Sequence, residues 1–312
     1  MEKRFIGSLA VSVVGLGCNN FGSRLDADAT AKVVHAAIDA GVNFFDTADI
    51  YGKTLSEEYL GKALTQRRKE VVLATKFGMP VDETRKGARP EYVRQACEDS
   101  LRRMGVAQID LYQLHRPDPD TPIVDTLGAL TELVRAGKVR EIGCSNFTTE
   151  QLKEAEAAFK PGAVRFVSVQ NEYSMLKRDA GLSVLPECQR SGTAFLPYFP
   201  LANGMLTGKY RKGQPTPEGR LKEAQLKNNE RFAKIVNDHN FAIVEALIAF
   251  AIRHGHTMLE LAFSWLLQHA PVASVIAGAT SAEQIQANAK AASWKFKLAE
   301  LAEIDKILSL PA

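Results

Sequence analysis

Eight short runs of β-branched or apolar residues recur along the chain with helical patterns between them, and that alternation admits few architectures. The runs are VSVVGLG near 11–17, VNFFDTA near 42–48, VVLATK near 71–76, IDLYQLH near 109–115, VREIGCSN near 139–146, FVSVQNEY near 166–173, TAFLPYFP near 193–200 and VASVIAG near 272–278. Most are spaced by the length of a βα unit, about 30 residues, and eight such units predict an α/β chain closed as a (β/α)8 barrel. Helix boundaries agree with the pattern. Asp28 precedes the amphipathic AKVVHAAIDA, which Gly41 stops, and Pro90 opens EYVRQACEDSLRRM before Gly105. The interval 197–276 is longer than the rest. Its polar GKYRKGQPTPEGRLKEAQ predicts a long loop, followed by an added helix around 229–253.

A doubly wound open sheet is the competing architecture, and it would carry GxGxxG after the first strand. Here Gly15 and Gly17 are followed by Asn20 where the third glycine would stand, so a tight turn is the simpler reading. No linker interrupts the pattern, and one domain is expected over residues 1–312. The net charge of +3, from 39 basic and 36 acidic residues, is too balanced for a nucleic-acid or membrane footprint. Small polar or neutral ligands fit better. No run of about 20 apolar residues offers a membrane span, and MEKRFIGSLAVSVVGLG lacks the plan of a secretory signal. Cys18, Cys97, Cys144 and Cys188 match neither a disulfide scaffold nor a CxxC site, so a cytoplasmic location is expected.

In a βα barrel the functional site lies at the C-terminal strand ends, where four ionisable residues stand out. Asp46 ends the second strand, Tyr51 follows in DTADIYG, Lys76 ends the third and His115 the fourth. Each alone has a structural reading: Tyr51 as a half-buried loop aromatic, Lys76 as a solvated charge, His115 as a hydrogen-bonded strand end, Asp46 as a cap. Their coincidence on consecutive strands points to chemistry. A tyrosine with a pKa of about 10 is a poor acid near neutrality unless a cation lowers it. Lys76 supplies that cation, Asp46 holds the ammonium, and His115 orients a carbonyl and shares in proton transfer.

With these residues in view, the motifs GLGCNNFG, FDTADIYGKTLSEEYLGKAL, ATKFG, DLYQLHRPD, LVRAGKVREIGCSNF, VQNEYS, YFPLANGMLTGKY and AGATSAEQIQAN resemble those of the aldo-keto reductases from about residue 4 to 310. The likeness is to bacterial-type members, with similarity also to the potassium-channel β-subunit branch. It implies a (β/α)8 barrel with an N-terminal β-hairpin and a C-terminal helix. It also implies a catalytic tetrad of Asp46, Tyr51, Lys76 and His115, and NADPH as cofactor with NADH as the alternative. The reaction implied is reversible reduction of an aldehyde or ketone to an alcohol. The alternative is a nucleotide-sensing or partner-regulating barrel with little turnover.

Carried over motif by motif, Ser145, Asn146 and Gln170 hold the nicotinamide carboxamide and Tyr198 stacks on the ring, with Phe199 where a serine is usual. Gly17, Cys18, Asn19 and Asp46 approach the ribose, and Leu201, Gly204 and Lys209 run beside the pyrophosphate. Gly278, Thr280, Gln284 and Asn288 form the glycine/glutamine version of the adenosine motif, which lacks the Lys and Arg clamp on a 2′-phosphate. Lys209 with Arg211, Lys212 or Arg220 is expected to supply that charge. Substrate contacts are expected from Phe21, Arg24, Tyr51, Phe77 and His115. His254 and His256 read as a solvated helix connection, so no metal is expected, and neither is a reactive thiol.

Overall fold

Strands of a parallel barrel are covered on one face by helices and on the other by each other's side chains, so both faces favour apolar residues. The computed structural model describes residues 1–215, 217, 219, 221–222 and 235–311. Its barrel consists of β3 (Val14–Gly17), β4 (Phe44–Asp46), β5 (Val72–Phe77), β6 (Ile109–Leu114), β7 (Val139–Ser145), β8 (Ser168–Glu172), β9 (Ala194–Tyr198) and β10 (Val275–Gly278). These close in chain order with every neighbour parallel, and β10 pairs with β3 from Val275↔Val14 to Gly278↔Gly17.

The first apolar run divides in two. Its opening residues complete an antiparallel hairpin of β1 (Lys3–Ile6) and β2 (Leu9–Ser12), and its end is β3. Ile6, Leu9 and Val11 of the hairpin pack with Phe44, Val72 and Leu111 near the beginnings of the barrel strands, plugging the N-terminal end of the barrel. The C-terminal end is left for the site.

The enclosing helices are α1 (Ala27–Asp39), α2 (Leu55–Leu64), α3 (Pro90–Met104), α4 (Ile123–Arg135), α5 (Thr149–Ala157), α6 (Asp179–Ser191), α7 (Asp238–Arg253), α8 (Met258–Leu267), α9 (Ala282–Lys290) and α10 (Leu298–Leu308). Helix α3 has the expected ends, Pro90 in its first turn and Gly105 at φ 64°. Helix α1 is capped by Asp26, whose carboxylate accepts from the Ala29 amide, while Asp28 lies in the first turn. The added helix expected at 229–253 is α7 over 238–253, and the earlier part of that span lies outside the described residues. Among the described residues no single helix is long and apolar enough to cross a membrane; α7 and α8 reach that length only as a pair bent by 95°.

Helix α2 follows the loop that bears Tyr51, and its seat against α3 depends on a missing side chain. A Cβ at Gly61 would lie 2.2 Å from the Met104 carbonyl oxygen at the end of α3. Gly61→Ala gains helix propensity worth about 1 kcal/mol. It also drives a methyl into backbone, which overpacking measurements put at about 1–3 kcal/mol. Chemical denaturation should therefore show Gly61→Ala to be less stable than the parent, and a stabilised variant would contradict this packing.

Candidate active site

Side chains alternate along a strand, so the residues that look into the barrel are every second one. In β5 that set is Val72, Ala74 and Lys76; in β6 it includes Leu111 and Gln113, and Lys76 pairs in register with Gln113. Asp46 ends β4 on the same side. The result is a polar layer above the apolar plug. Lys76 has no exposed surface, and its ammonium donates to Asp46 Oδ2 at 2.5 Å and to the Thr47 carbonyl at 2.9 Å. Asp46 Oδ1 accepts from the Gln113 and Gln170 amides at 3.0 and 3.1 Å. Gln113 contributes to the site although the sequence reading did not single it out; the two-residue parity Leu111, Gln113, His115 was the available signal.

Tyr51 sits in the loop between β4 and α2, at the edge of this layer. The three residues after it, Gly52, Lys53 and Thr54, all have positive φ, at 58°, 57° and 77°. A Cβ at Gly52 would lie 2.4 Å from the Phe21 carbonyl oxygen, so only glycine allows the chain to double back there. The loop is tied down by Ser56, whose hydroxyl lies 2.8 Å from that of Thr47 and donates to the Cys18 carbonyl at 2.9 Å. The Lys76 ammonium lies 5.3 Å from the Tyr51 ring centroid, and the His115 ring meets the Tyr51 ring edge-on at 5.8 Å.

The electrostatics refine the expected roles. Burial raises the Tyr51 phenol above its ordinary pKa, outweighing the opposing pull of Lys76, so the phenol is protonated at neutral pH. Lys76 is itself raised: burial opposes its charge, but the charges of Asp46 and Tyr51 and the Asp46 hydrogen bond prevail. His115 falls to about 3, through burial first and then the charges of Lys76 and Arg116. Its imidazole is therefore neutral near neutrality, suited to orienting an oxygen and not to acting as an imidazolium acid. Its Nδ1 is buried without a hydrogen bond among the described residues.

A cleft of about 990 Å³ opens over this layer. Asp46, Tyr51, His115 and Arg24 line it at the tetrad, and Ser145, Asn146, Gln170 and Tyr198 continue the wall. Those last four are mutually bonded: Ser145 Oγ donates to the Gln170 carbonyl at 2.7 Å, Asn146 Nδ2 to the His115 carbonyl at 2.9 Å, and the Tyr198 hydroxyl to Asn146 Oδ1 at 2.7 Å. Asn146 has φ 62°, and beyond β9 Phe199, Ala202 and Asn203 also have positive φ. Backbone in such sparsely populated conformations, concentrated in one cleft wall, is characteristic of functional sites. Leu201, Gly204 and Lys209 follow in the wall, then Gly17, Asn19, Gly278, Thr280, Gln284 and Asn288. Gln284 Oε1 accepts from both the amide and the hydroxyl of Thr280, at 2.8 and 3.0 Å.

Three expected contacts lie elsewhere. The side chains of Cys18, Phe21 and Phe77 are fully buried in the outer apolar core and do not line the cleft. Phe77 follows the inward Lys76 and so points outward, stacking on Tyr112 at 4.6 Å. Cys18 directs its sulfur at the Leu16 carbonyl, and burial pushes its thiol well up. Of the expected supporting cations, Arg211 pairs with Glu245 at 2.6 Å and Lys212 with Asp238 at 3.2 Å, both on α7. Lys209 is in the wall, and Arg220 lies outside the described residues. No group of metal-ligating side chains occurs among the described residues. Asn20, Leu25, Tyr210 and Leu259 join the cleft without having been expected there.

Comparison with known proteins agrees with this geometry. A probable aldo-keto reductase of Glycine max is 34% identical over 303 residues, covering 94% of this chain and 84% of that protein. The structure of an aldo-keto reductase of Bacillus halodurans, solved in its holo form, superposes with a TM-score of 0.80 at 31% identity, covering 98% of this chain and 96% of the other. Residues 13–309 match the Aldo/keto reductase family. The chain therefore belongs to the aldo/keto reductase family, the oxidoreductases of carbonyl compounds.

Proposed function

We propose that this chain, acting as one barrel domain over residues 1–312, reduces an aldehyde or ketone to an alcohol reversibly, with NADPH as cofactor and Tyr51 as the proton donor. The observation that carries this reading is the convergence of Tyr51 and His115 on one cleft wall above the buried Lys76–Asp46 pair. A bound nicotinamide would supply the hydride. The chain's part is to place the carbonyl and deliver the proton. Neutral His115 orients the carbonyl oxygen beside the Tyr51 hydroxyl. That hydroxyl gives its proton to the alkoxide as charge develops there, and Lys76 stabilises the phenolate left behind.

The cleft's donor set fits a nicotinamide dinucleotide. Amide and hydroxyl groups of Ser145, Asn146 and Gln170 stand beside the tetrad, suited to a carboxamide. A Cβ at Gly278 would lie 3.1 Å from Asn20 Nδ2, so glycine leaves room at the far end of the cleft. Lys209, an exposed lysine in the wall, supports NADPH over NADH, because a cation there favours the additional phosphate. The four cysteines are unpaired, which supports a reducing compartment such as the cytoplasm.

Four variants test these assignments. Tyr51→Phe should lower kcat for carbonyl reduction by about 100-fold or more while leaving cofactor affinity, read by nicotinamide fluorescence, nearly unchanged. Near-parental turnover would remove Tyr51 from the chemistry. Lys76→Met leaves the Asp46 carboxylate buried without its cation, so it should cost about 3–5 kcal/mol in chemical denaturation as well as turnover. Replacing Asp46 by Asn in that variant should restore part of the stability but not the rate. Lys209→Met should weaken NADPH binding by roughly tenfold and NADH binding little. Equal losses for both cofactors would take Lys209 off the 2′-phosphate.

A further inference from the structure

Behind the Tyr51 loop, on the side away from the cleft, lies a second buried polar cluster that the reaction does not use. Asp49, two residues before Tyr51, is 2% exposed. Its backbone amide donates to the Lys76 carbonyl at 3.1 Å, and the Tyr51 amide donates to the Ala48 carbonyl at 3.2 Å, so Asp49 is joined to both members of the proton-donating pair through the main chain. Its side chain points outward against α2 and α3. Oδ2 lies 3.5 Å from the Tyr92 hydroxyl, at the outer limit of a hydrogen bond, and buried Oδ1 has no hydrogen-bond partner among the described residues.

The groups facing Asp49 differ in how well they are satisfied. Glu57 of α2 is fully buried but held by Thr75 at 2.5 Å and by the Arg103 guanidinium at 2.6 Å. That guanidinium is thereby spent on Glu57. Tyr92 and Arg103 face Asp49 from α3, Tyr112 from β6, and Arg85 acts on Tyr92 from the loop before α3. A charge on Asp49 would add a second buried anion beside Glu57, with one oxygen left unbonded. Burial, and then Glu57, push the Asp49 carboxyl up to about 7, against the weaker pulls of Arg103, the Ile50 backbone and the Tyr92 hydroxyl.

We propose that Asp49 is a positioning residue for Tyr51: its uncharged carboxyl fits between the Tyr51 loop and α3, and charging it loosens that loop and withdraws the phenol from the cleft. The assignment rests on the reductase reading of the cleft. An oxygen that is buried and unbonded when neutral becomes costly when charged, and the accessible relief is to hydrate it by moving the short loop that carries Tyr51.

Proton linkage gives the stability effect its sign. The folded chain keeps a proton on Asp49 that the unfolded chain loses above about pH 4, so stability falls as pH rises from there to about 7 and the penalty persists above that. Asp49→Asn removes the penalty. Its Tm advantage over the parent should therefore be larger near about pH 8 than near about pH 5. In turnover, parental kcat should fall as pH rises through about 7, whereas Asp49→Asn should hold its kcat across that range with KM little changed. Tyr92→Phe, which removes the hydroxyl 3.5 Å from Oδ2, should move the parental fall to higher pH.

Both variants falling with the parental midpoint, or an Asp49→Asn kcat reduced equally at every pH, would overturn the positioning role. If Asp49→Asn does not fold, the Tyr92→Phe midpoint decides alone: a shift upward supports the proposal, and none overturns it. Absence of turnover in the parent at every pH, with the Tm pattern intact, would overturn the reductase reading instead.

Discussion

A lysine ammonium with no exposed surface, 2.5 Å from an aspartate, sets the terms for the upper barrel. Taking two ions out of water is expensive, and mutual attraction repays it only when the remaining lone pairs are bonded as well. Here Gln113 and Gln170 bond the second oxygen of Asp46, and the Thr47 carbonyl takes a second ammonium proton of Lys76. Those partners come from β4, β5, β6 and β8, so a change of register in any of these strands would unmake the pair. The lower half of the barrel, plugged by the hairpin, leaves this polar layer at the open end.

Tyr51 is balanced between two opposing effects. Burial holds its proton on, and the Lys76 ammonium lowers the cost of a phenolate, as the proposed proton transfer requires. A phenol simply lowered in pKa by Lys76 would describe only the second effect. His115 completes the arrangement as a neutral ring, since the same cation and the same burial keep it from protonating. The left-handed residues that follow cleft-lining Tyr51, and the strained stretch after β9 whose Phe199 and Asn203 line the cleft, hold its walls by backbone geometry as well as by side chains.

The eight strands and the gathering of Asp46, Tyr51, Lys76 and His115 at one end of the barrel were legible because both depend on short-range pattern. Strand ends are marked in VNFFDTA, VVLATK and IDLYQLH, and the barrel's topology converts those ends into one place. Which way a side chain faces was less legible. Phe77 is adjacent to Lys76 in sequence and on the opposite face in space, and Cys18 and Phe21 turn into the outer core just past the strand end. Gln113 was missed for the complementary reason: it looks like an ordinary strand residue until parity places it beside Asp46. The division of VSVVGLG between hairpin and barrel carries no local signal in the apolar run. The pairing of Arg211 and Lys212 with α7 is a tertiary contact that composition does not encode.

Burial holding Tyr51 protonated while Lys76 pulls the other way is open to direct titration of the phenol. NMR of isotope-labelled tyrosine rings would follow it, with the Tyr51 signal assigned as the one absent from Tyr51→Phe. The balance of burial and charge predicts a midpoint above the ordinary tyrosine value of about 10 in the parent, and a still higher one in Lys76→Met. A midpoint below that of free tyrosine, or one that Lys76→Met leaves unmoved, would contradict it.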